Sequence, residues 1–256
     1  LGLIGGSFAR AAKELVSVQQ VVGFDLNQEE CDLALALNVV DSIATDLESA
    51  VKQSDLILLA VPVKAIETVM QKIAPWLKAD AILTDVGSTK LNILEAAKGI
   101  WPKGLPAGFI PGHPIAGAEK SGVSASQADL FNHKKVILTP PEGASTEATL
   151  TLARVWQAIG AEVVQMEPKR HDQVLAATSH LPHLLAFSLA DTLAAEAEST
   201  DIFRYAAGGF RDFTRIAASD PTMWHDVCFA NREQLLEQID RFMAGVENLR
   251  HAVDQG

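Results

Sequence analysis

The sequence predicts an α/β fold of the Rossmann type, with a doubly wound and mostly parallel sheet, followed by an all-helical domain. Up to about residue 167, short apolar runs alternate with amphipathic helical segments, which is the pattern of strands covered on both faces by helices. After that point only helical periodicity remains, as in the spacing of Leu235, Ile239 and Phe242. We therefore divide the chain into two domains, residues 1–167 and residues 168–256.

The elements follow from the period of the apolar residues and from the turn residues that separate them. In chain order, the predicted strands are residues 21–25, 56–61, 82–85, 109–110, 136–138 and 162–166. The predicted helices between them are residues 3–16, 28–37, 65–74, 91–98 and 147–159. Residues 173–190 carry no Asp, Glu, Lys or Arg, but they include His180, Pro182 and His183. This stretch predicts a buried helix pair interrupted at Pro182 rather than a membrane span.

Composition and charge exclude several classes of protein. With 48% hydrophobic residues among 256, the chain can bury a core, which excludes a disordered or fibrous protein. The net charge is −11 and no basic block could follow a phosphate backbone, so nucleic acid is not an expected partner. Cys31 and Cys228 lack metal-ligand spacing, and Arg10, Lys13 and Glu14 interrupt any signal peptide. We expect a cytoplasmic protein without metal or membrane.

Half of a dinucleotide-binding fingerprint opens the chain. Gly2 and Gly5 match the second and third glycines of G-x-G-x-x-G. In that motif the second glycine lets the backbone approach a pyrophosphate, and the third lets the following helix pack closely on the sheet. The first glycine would stand before Leu1. We therefore expect that a short strand ending in glycine precedes residue 1 in the natural protein.

An acidic residue follows at the spacing that the fingerprint requires. Asp25 closes the next apolar run, 20 residues beyond Gly5. A carboxylate there accepts hydrogen bonds from the adenosine ribose and repels a 2′-phosphate, and no Arg follows in residues 26–28. NAD is therefore the expected cofactor, in preference to NADP. The alternative is that Asp25 only caps the next helix.

Two segments place polar residues at or near the carboxyl edge of the predicted sheet. Residues 84–90, TDVGSTK, follow an apolar run directly, so Ser88 lies where ligands bind in such folds, unless it only caps the next helix. Residues 111–122 hold one histidine, His113, fenced by Gly and Pro. Because the neighbouring Gly and Pro residues determine the backbone, the histidine side chain is expected to serve acid–base chemistry. The alternative is a structural histidine, since a lone histidine is often structural.

Two further segments lie in the helical part. Residues 179–183, SHLPH, place His180 and His183 at the start of an apolar helix, without the further ligand that a metal site needs. Residues 203–215 hold three arginines in a Gly-rich stretch, a basic patch on an acidic protein. Arginine grips carboxylates through two hydrogen bonds, so this patch predicts an anionic ligand. The alternative is a solvated loop.

Taken in order, GLIGGS, TDVGSTK, GHPIAGAEKSG, SHLPH and GGFRDFTRIAASDP resemble the prephenate/arogenate (cyclohexadienyl) dehydrogenases of tyrosine biosynthesis. The resemblance covers nearly the whole chain. It implies an N-terminal dinucleotide-binding domain, a helical domain that forms a homodimer, and a small dicarboxylate substrate. The reaction it implies is the NAD-dependent oxidative decarboxylation of prephenate to 4-hydroxyphenylpyruvate, of arogenate to tyrosine, or of both.

The resemblance also implies roles for particular residues. His113 would deprotonate the substrate hydroxyl, Ser88 would bridge that hydroxyl and the nicotinamide, and Arg215 would bind a substrate carboxylate. Further residues of the substrate pocket would be His180, His183, Arg211, Glu119 and Trp224. The cofactor would be held by Gly2, Leu3, Ile4, Gly5, Asp25, Val61, Pro62 and Ser88.

Other functions remain open from the sequence alone. One is another NAD-linked dehydrogenase with a helical domain, acting on a 3-hydroxyacid or an imine. Those enzymes place a catalytic lysine on the helical domain, and Lys169 is the only lysine after residue 135 here. A second is a redox-silent protein that binds NAD or another ligand on the same scaffold. Nothing in residues 203–215 distinguishes prephenate from arogenate.

Overall fold

The structure is a computed structural model that describes residues 1–117, 120–197 and 199–256. It contains two compact units, Leu1–His171 and Asp172–Gly256. The first unit combines helices with short strands, and the second is helical throughout the part that the structure describes. The boundary at residue 167 stays a prediction.

Helices and strands alternate along the first unit. The strands are β1 Val22–Gly23, β2 Ser42–Ile43, β3 Leu56–Leu59, β4 Ile82–Asp85, β5 Gly112–Pro114, β6 Lys135–Leu138 and β7 Glu162–Gln165. The helices are α1 Leu3–Lys13, α2 Gln28–Ala36, α3 Leu47–Val51, α4 Val63–Ile73, α5 Leu91–Ile100 and α6 Thr146–Ala158, and then α7 Pro168–Leu175, which continues into the second unit.

Most strand pairs are parallel, as the sequence predicts. β1 pairs with β2, β3 with β4, and β6 with β7, all in parallel, and Leu83 of β4 forms a further parallel bridge to Phe109. The exception is β5, which runs antiparallel to β6 with His113 opposite Ile137. The pairing places the end of β4 and the start of β5 side by side.

The predicted strand at residues 109–110 forms only in part. Only the bridge to Leu83 forms there, and the strand lies at Gly112–Pro114. The next N–H on the side of β4, that of Gly112, donates to the side-chain Oδ2 of Asp85, and residues 112–114 pair with β6. A Cβ built on Gly108 would lie 2.1 Å from the carbonyl oxygen of Ala81, so only glycine allows this close approach.

The core of the first unit centres on Trp156 of α6. Its ring packs against Phe8 of α1 and Phe131, with centroid distances of 4.8 and 5.1 Å. All three side chains are buried. Because α1 is held against α6 in this way, the start of α1 has a fixed position at the edge of the unit.

The second unit contains α8 Leu181–Ala194, α9 Ser199–Arg204, α10 Gly208–Thr214, α11 Pro221–Ala230 and α12 Arg232–Gln255. The predicted interruption at Pro182 is wrong. A π-helical turn, Ala176–His180, joins α7 to α8, and Pro182 lies directly after it, in the first turn of α8. Among the helices that the structure describes, none is long and apolar enough to span a membrane.

Candidate active site

The start of α1 has the features of a pyrophosphate site. A Cβ built on Gly2 would meet no atom within 4 Å, whereas one on Gly5 would lie 2.9 Å from Cβ of Ala60, just after β3. Gly5 therefore permits close packing against the strand exit that leads to Val61 and Pro62, and Gly2 leaves room for a ligand. No side chain in the described chain caps α1, so its first N–H groups can bind an anion.

Asp25 lies beside this glycine turn. Its Oδ1 accepts a hydrogen bond from the Asn27 N–H at 2.9 Å, and its Oδ2 lies 2.5 Å from the backbone nitrogen of Leu1. The cap of α2 is Asn27, whose side chain accepts from the Glu29 N–H at 2.9 Å. Helix capping is therefore not the reason for an aspartate at position 25.

A buried ion pair lies beneath the loop that carries Ser88. Asp85 ends β4 and pairs with the ammonium group of Lys90, and their side chains are only 1% and 0% exposed. Asp85 Oδ1 also accepts from the Gly87 N–H at 2.8 Å. Burial raises the pKa of Asp85, and the Lys90 charge and the backbone N–H donors act in the opposite direction.

The same pair ties this loop to β5. Lys90 Nζ donates to the carbonyl oxygen of Gly112 at 2.6 Å, and the Gly112 N–H lies 3.3 Å from Asp85 Oδ2. Because Gly112 precedes His113, the ion pair fixes the backbone on which the histidine stands. The N-cap of α5 is Lys90, not Ser88, and Ser88 is half-buried. The capping alternative for Ser88 is therefore wrong.

His113 contacts a residue that sequence reasoning missed. Its Nδ1 lies 2.9 Å from Nε2 of His171, and the two rings meet edge to face with centroids 5.1 Å apart. His171 lies in α7 and is completely buried. It is 58 residues from His113, in a helix whose apolar pattern gives no reason to single out one histidine.

In the second unit, two predicted histidines gather around Trp224. The His183 ring stacks on the indole at 3.7 Å, and the His180 ring meets its edge with centroids 6.1 Å apart. His180 Nδ1 also lies 3.1 Å from Nδ2 of Asn231, which donates to the backbone carbonyl of Asp172. Asn231 is buried and was not singled out from the sequence, where it stands without neighbouring polar motif residues.

His183 is set up as a neutral ring. Burial lowers its pKa, and the hydrogen bond between Nδ1 and the carbonyl oxygen of Ser179, at 2.9 Å, opposes this only in part. Since a carbonyl only accepts, Nδ1 carries the proton. Nε2 then presents a lone pair, which suits it to accept a hydrogen bond from a neutral polar group.

Two of the three arginines of the basic patch, Arg211 and Arg215, lie on one segment. Arg211 belongs to α10, and Arg215 begins the 3-10 turn Arg215–Ala218, four residues later, so both are on the same side of the chain. This turn packs against α8, which carries His183. Arg204 lies apart, over the ring of Tyr205. Glu119 lies outside the described residues.

Fold and site together define a two-domain NAD-dependent dehydrogenase. The family model described as prephenate dehydrogenase, nucleotide-binding domain, matches residues 8–165, and the one described as prephenate dehydrogenase, dimerization domain, matches residues 167–256. The chain therefore belongs to the prephenate dehydrogenase family. It is an oxidoreductase with a Rossmann-type domain followed by a helical domain, and its cofactor is NAD.

Individual relatives agree with this assignment. A cyclohexadienyl dehydrogenase from Zymomonas mobilis is 40% identical over 99% of this chain and 86% of its own length. The crystal structure of a prephenate dehydrogenase from Aquifex aeolicus, in complex with hydroxyphenyl propionate and NAD+, is 37% identical with a TM-score of 0.91 and covers 99% of this chain and 88% of that one. A Synechocystis arogenate dehydrogenase has 29% identity and a TM-score of 0.85, over 100% and 90% of the two chains.

Proposed function

We propose that the protein oxidatively decarboxylates prephenate to 4-hydroxyphenylpyruvate, arogenate to tyrosine, or both. One observation carries the assignment of the reacting residue. His113 lies in β5 directly after Gly112, whose carbonyl oxygen accepts a hydrogen bond from Lys90, and its Nδ1 contacts His171. With the proton on Nδ1 in this contact, Nε2 is the nitrogen that can act as a base. Membership of the prephenate dehydrogenase family supports this reaction over that of a 3-hydroxyacid or imine dehydrogenase.

The side chains have few tasks in this reaction, because loss of CO2 makes the ring aromatic and drives the reaction. When bound, NAD accepts the hydride from the ring carbon that carries the hydroxyl group. His113 takes the hydroxyl proton as that carbon is oxidised. The ring carboxylate then leaves as CO2, its electron pair completes the aromatic ring, and the oxygen regains a proton.

The other roles are positioning roles. Ser88 would bridge the substrate hydroxyl and the nicotinamide, and Arg215, with Arg211, would hold the substrate's carboxylates. His180, His183, Trp224 and Glu119 would line the rest of the pocket. Gly2, Leu3, Ile4, Gly5, Asp25, Val61 and Pro62 would hold the cofactor.

One assay tests the reaction. The purified protein should form NADH when given NAD with prephenate or with arogenate, and little NADPH when given NADP. If neither substrate yields NADH or NADPH while NAD still binds, the protein is a redox-silent binding protein and the proposal is wrong.

Replacing Arg215 with alanine should raise the KM for the substrate. A hydrogen bond between charged groups is worth about 1.5–3 kcal/mol, so KM should rise by about 10–100-fold while kcat changes less. Steady-state kinetics at saturating NAD measure this. Arg154→Ala is the matched control, because Arg154 is exposed on α6 of the first unit. An unchanged KM would mean that Arg215 does not bind the carboxylate, and Arg211 or Arg204 would then be the residue to test.

Replacing Asp25 with serine should relax the preference for NAD. Removal of the carboxylate ends its repulsion of a 2′-phosphate and weakens its bond to the ribose. We expect the ratio of kcat/KM for NADP to that for NAD to rise by about tenfold or more, or about 1.4 kcal/mol. Asp32→Ser is the control, since Asp32 is an exposed acid on α2 whose partner is Gln28. An unchanged ratio would mean that Asp25 does not contact the ribose of the cofactor.

We also propose a homodimer through the helical unit, in the cytoplasm. Residues 167–256 match a dimerization domain. Helix α12 leaves large apolar side chains exposed, and a second subunit would cover them. They are Leu236, Phe242, Met243, Val246, Leu249 and Val253.

A further inference from the structure

The contact between His113 and His171 has a geometry that restricts how both rings are protonated. Their nitrogens, Nδ1 of His113 and Nε2 of His171, are 2.9 Å apart, which is hydrogen-bond distance. Such a bond needs one N–H and one lone pair, so only one of the two facing nitrogens carries the proton when both rings are neutral. His171 is completely buried and His113 is partly buried, which limits the access of water to this contact.

Both rings stand on anchored backbone. His113 is held in β5 by its pairing with β6, and the Lys90 bond to the carbonyl oxygen of Gly112 holds the preceding residue. His171 is held in the first turns of α7, where the Glu167 carboxylate accepts from the N–H groups of Lys169 at 3.0 Å and Arg170 at 2.9 Å. The His171 N–H donates to the Glu167 carbonyl at 2.9 Å. The backbone of both residues is therefore fixed by hydrogen bonds within its own element.

We propose that His171 is a positioning residue for the reaction, one that keeps the proton of His113 on Nδ1 and thereby keeps Nε2 as the basic nitrogen. This inference rests on the proposed function of His113 as the base. A base at Nε2 must carry its only proton on Nδ1, so His113 donates and Nε2 of His171 accepts. The second proton assignment follows, since His171 must then carry its own proton on Nδ1.

The contact with His171 also stabilises the positively charged form of His113 that arises during the reaction. When His113 takes the substrate proton, its Nδ1–H becomes a donor from a cation, and hydrogen bonds from cations are stronger than those from neutral groups. His171 thus stabilises the proton-bearing ring more than the neutral one. In serine hydrolases a buried aspartate orients a histidine in the same sense, and here the acceptor is a neutral imidazole.

Two substitutions at position 171 separate the hydrogen bond from the shape of the side chain. His171→Leu removes the acceptor, and His171→Gln places an amide oxygen near the position of Nε2. Loss of a hydrogen bond to a charged group typically costs about 10–100-fold. We expect kcat to fall by about that factor in the leucine variant with little change in KM, and to recover most of its value in the glutamine variant. His133→Leu, at an exposed position in the loop before β6, is the control.

A double variant tells a positioning role from a merely structural one. If His171 acts through His113, adding His171→Leu to His113→Ala should lower turnover no further. Independent, additive losses would overturn the proposal, as would wild-type kcat in His171→Leu. The base role fails separately, and the proposed mechanism with it, if His113→Ala alone keeps more than a tenth of wild-type turnover.

A measurement on the unaltered protein covers the case in which the leucine variant does not fold. Nitrogen-15 NMR of labelled histidines reports which ring nitrogen carries the proton. The expected signature is a protonated Nδ1 and an unprotonated Nε2 on His113 in the neutral ring. A neutral His113 ring with the proton on Nε2 would overturn the proposal.

Discussion

Replacing His113 with alanine is expected to lower kcat by about 10²–10⁴-fold, the usual contribution of a general base. The variant has no base at position 113 to take the hydroxyl proton as the hydride leaves. The ring carbon must then be oxidised while its hydroxyl group still carries the proton. Initial rates of NADH formation at saturating NAD and substrate measure the loss. Because residues 1–25 and the Asp85–Lys90 pair are untouched, NAD affinity should stay within about twofold of the wild-type value.

His133→Ala is the matched control for this change. His133 is an exposed histidine in the loop before β6, with a positive φ of 58°, and has no part in the proposed chemistry. It should keep wild-type turnover. A His113→Ala variant that keeps more than about a tenth of that turnover would contradict the base role, whose minimum expected value is about 10²-fold.

Replacing Lys90 with methionine should destabilise the protein by about 3–5 kcal/mol, the cost of leaving one partner of a buried ion pair without its counter-charge. The Asp85 carboxylate would remain between β4 and β5 with only backbone N–H donors. Total stabilities are only about 5–15 kcal/mol, so this is a large fraction of the whole. Urea denaturation followed by circular dichroism gives the free energy of unfolding.

Lys78→Met serves as the matched lysine control. Lys78 pairs with Asp55 at 2.7 Å, but the Asp55 side chain is 93% exposed, and surface pairs contribute only about 0–1 kcal/mol. The double variant Asp85→Asn, Lys90→Met should recover part of the loss, because no charge remains buried. If the free energy of unfolding of Lys90→Met lies within about 1 kcal/mol of the wild-type value, the ion pair has no structural role.

The pH dependence of the Lys90→Met variant gives a further check on the same cause. Burial raises the pKa of Asp85 in the folded protein, and removal of Lys90 takes away the charge that opposes this rise. An acid whose pKa is higher in the folded state than in the unfolded state favours folding at low pH and loses that contribution as the pH rises. The deficit of Lys90→Met relative to wild type should therefore shrink as the pH falls into the acid range.

Local patterns were sufficient for much of the fold. β4 has the bounds that its apolar run predicts, and α2 begins at the predicted residue because Asn27 caps it. Periodicity failed where the element was short. The five-residue helix α3 depends on a capping box, in which Asp46 accepts from the Ser49 N–H, and not on an apolar stripe.

The site was predictable only one residue at a time. His113 stood out because Gly and Pro surround it, and Ser88 because it follows a strand. The residues that hold His113 in place could not be identified from the sequence. His171 is 58 residues from His113, and Lys90 bonds to Gly112, 22 residues away. Such pairings depend on which elements lie side by side, and a single sequence carries no local pattern for that.

The π-helical turn before α8 determines the direction in which the SHLPH histidines point. A π turn holds one residue more than an α-helical turn, and each residue in a helix turns the chain by about 100°. A chain one residue shorter within Ala176–His180 could continue as an ordinary α-helix, but His180 and His183 would then lie about a quarter turn or more away from their present side. The stacking of His183 on Trp224 would be lost with that rotation. The length of this turn, and not only its residue types, therefore determines the side of α8 on which the two histidines lie.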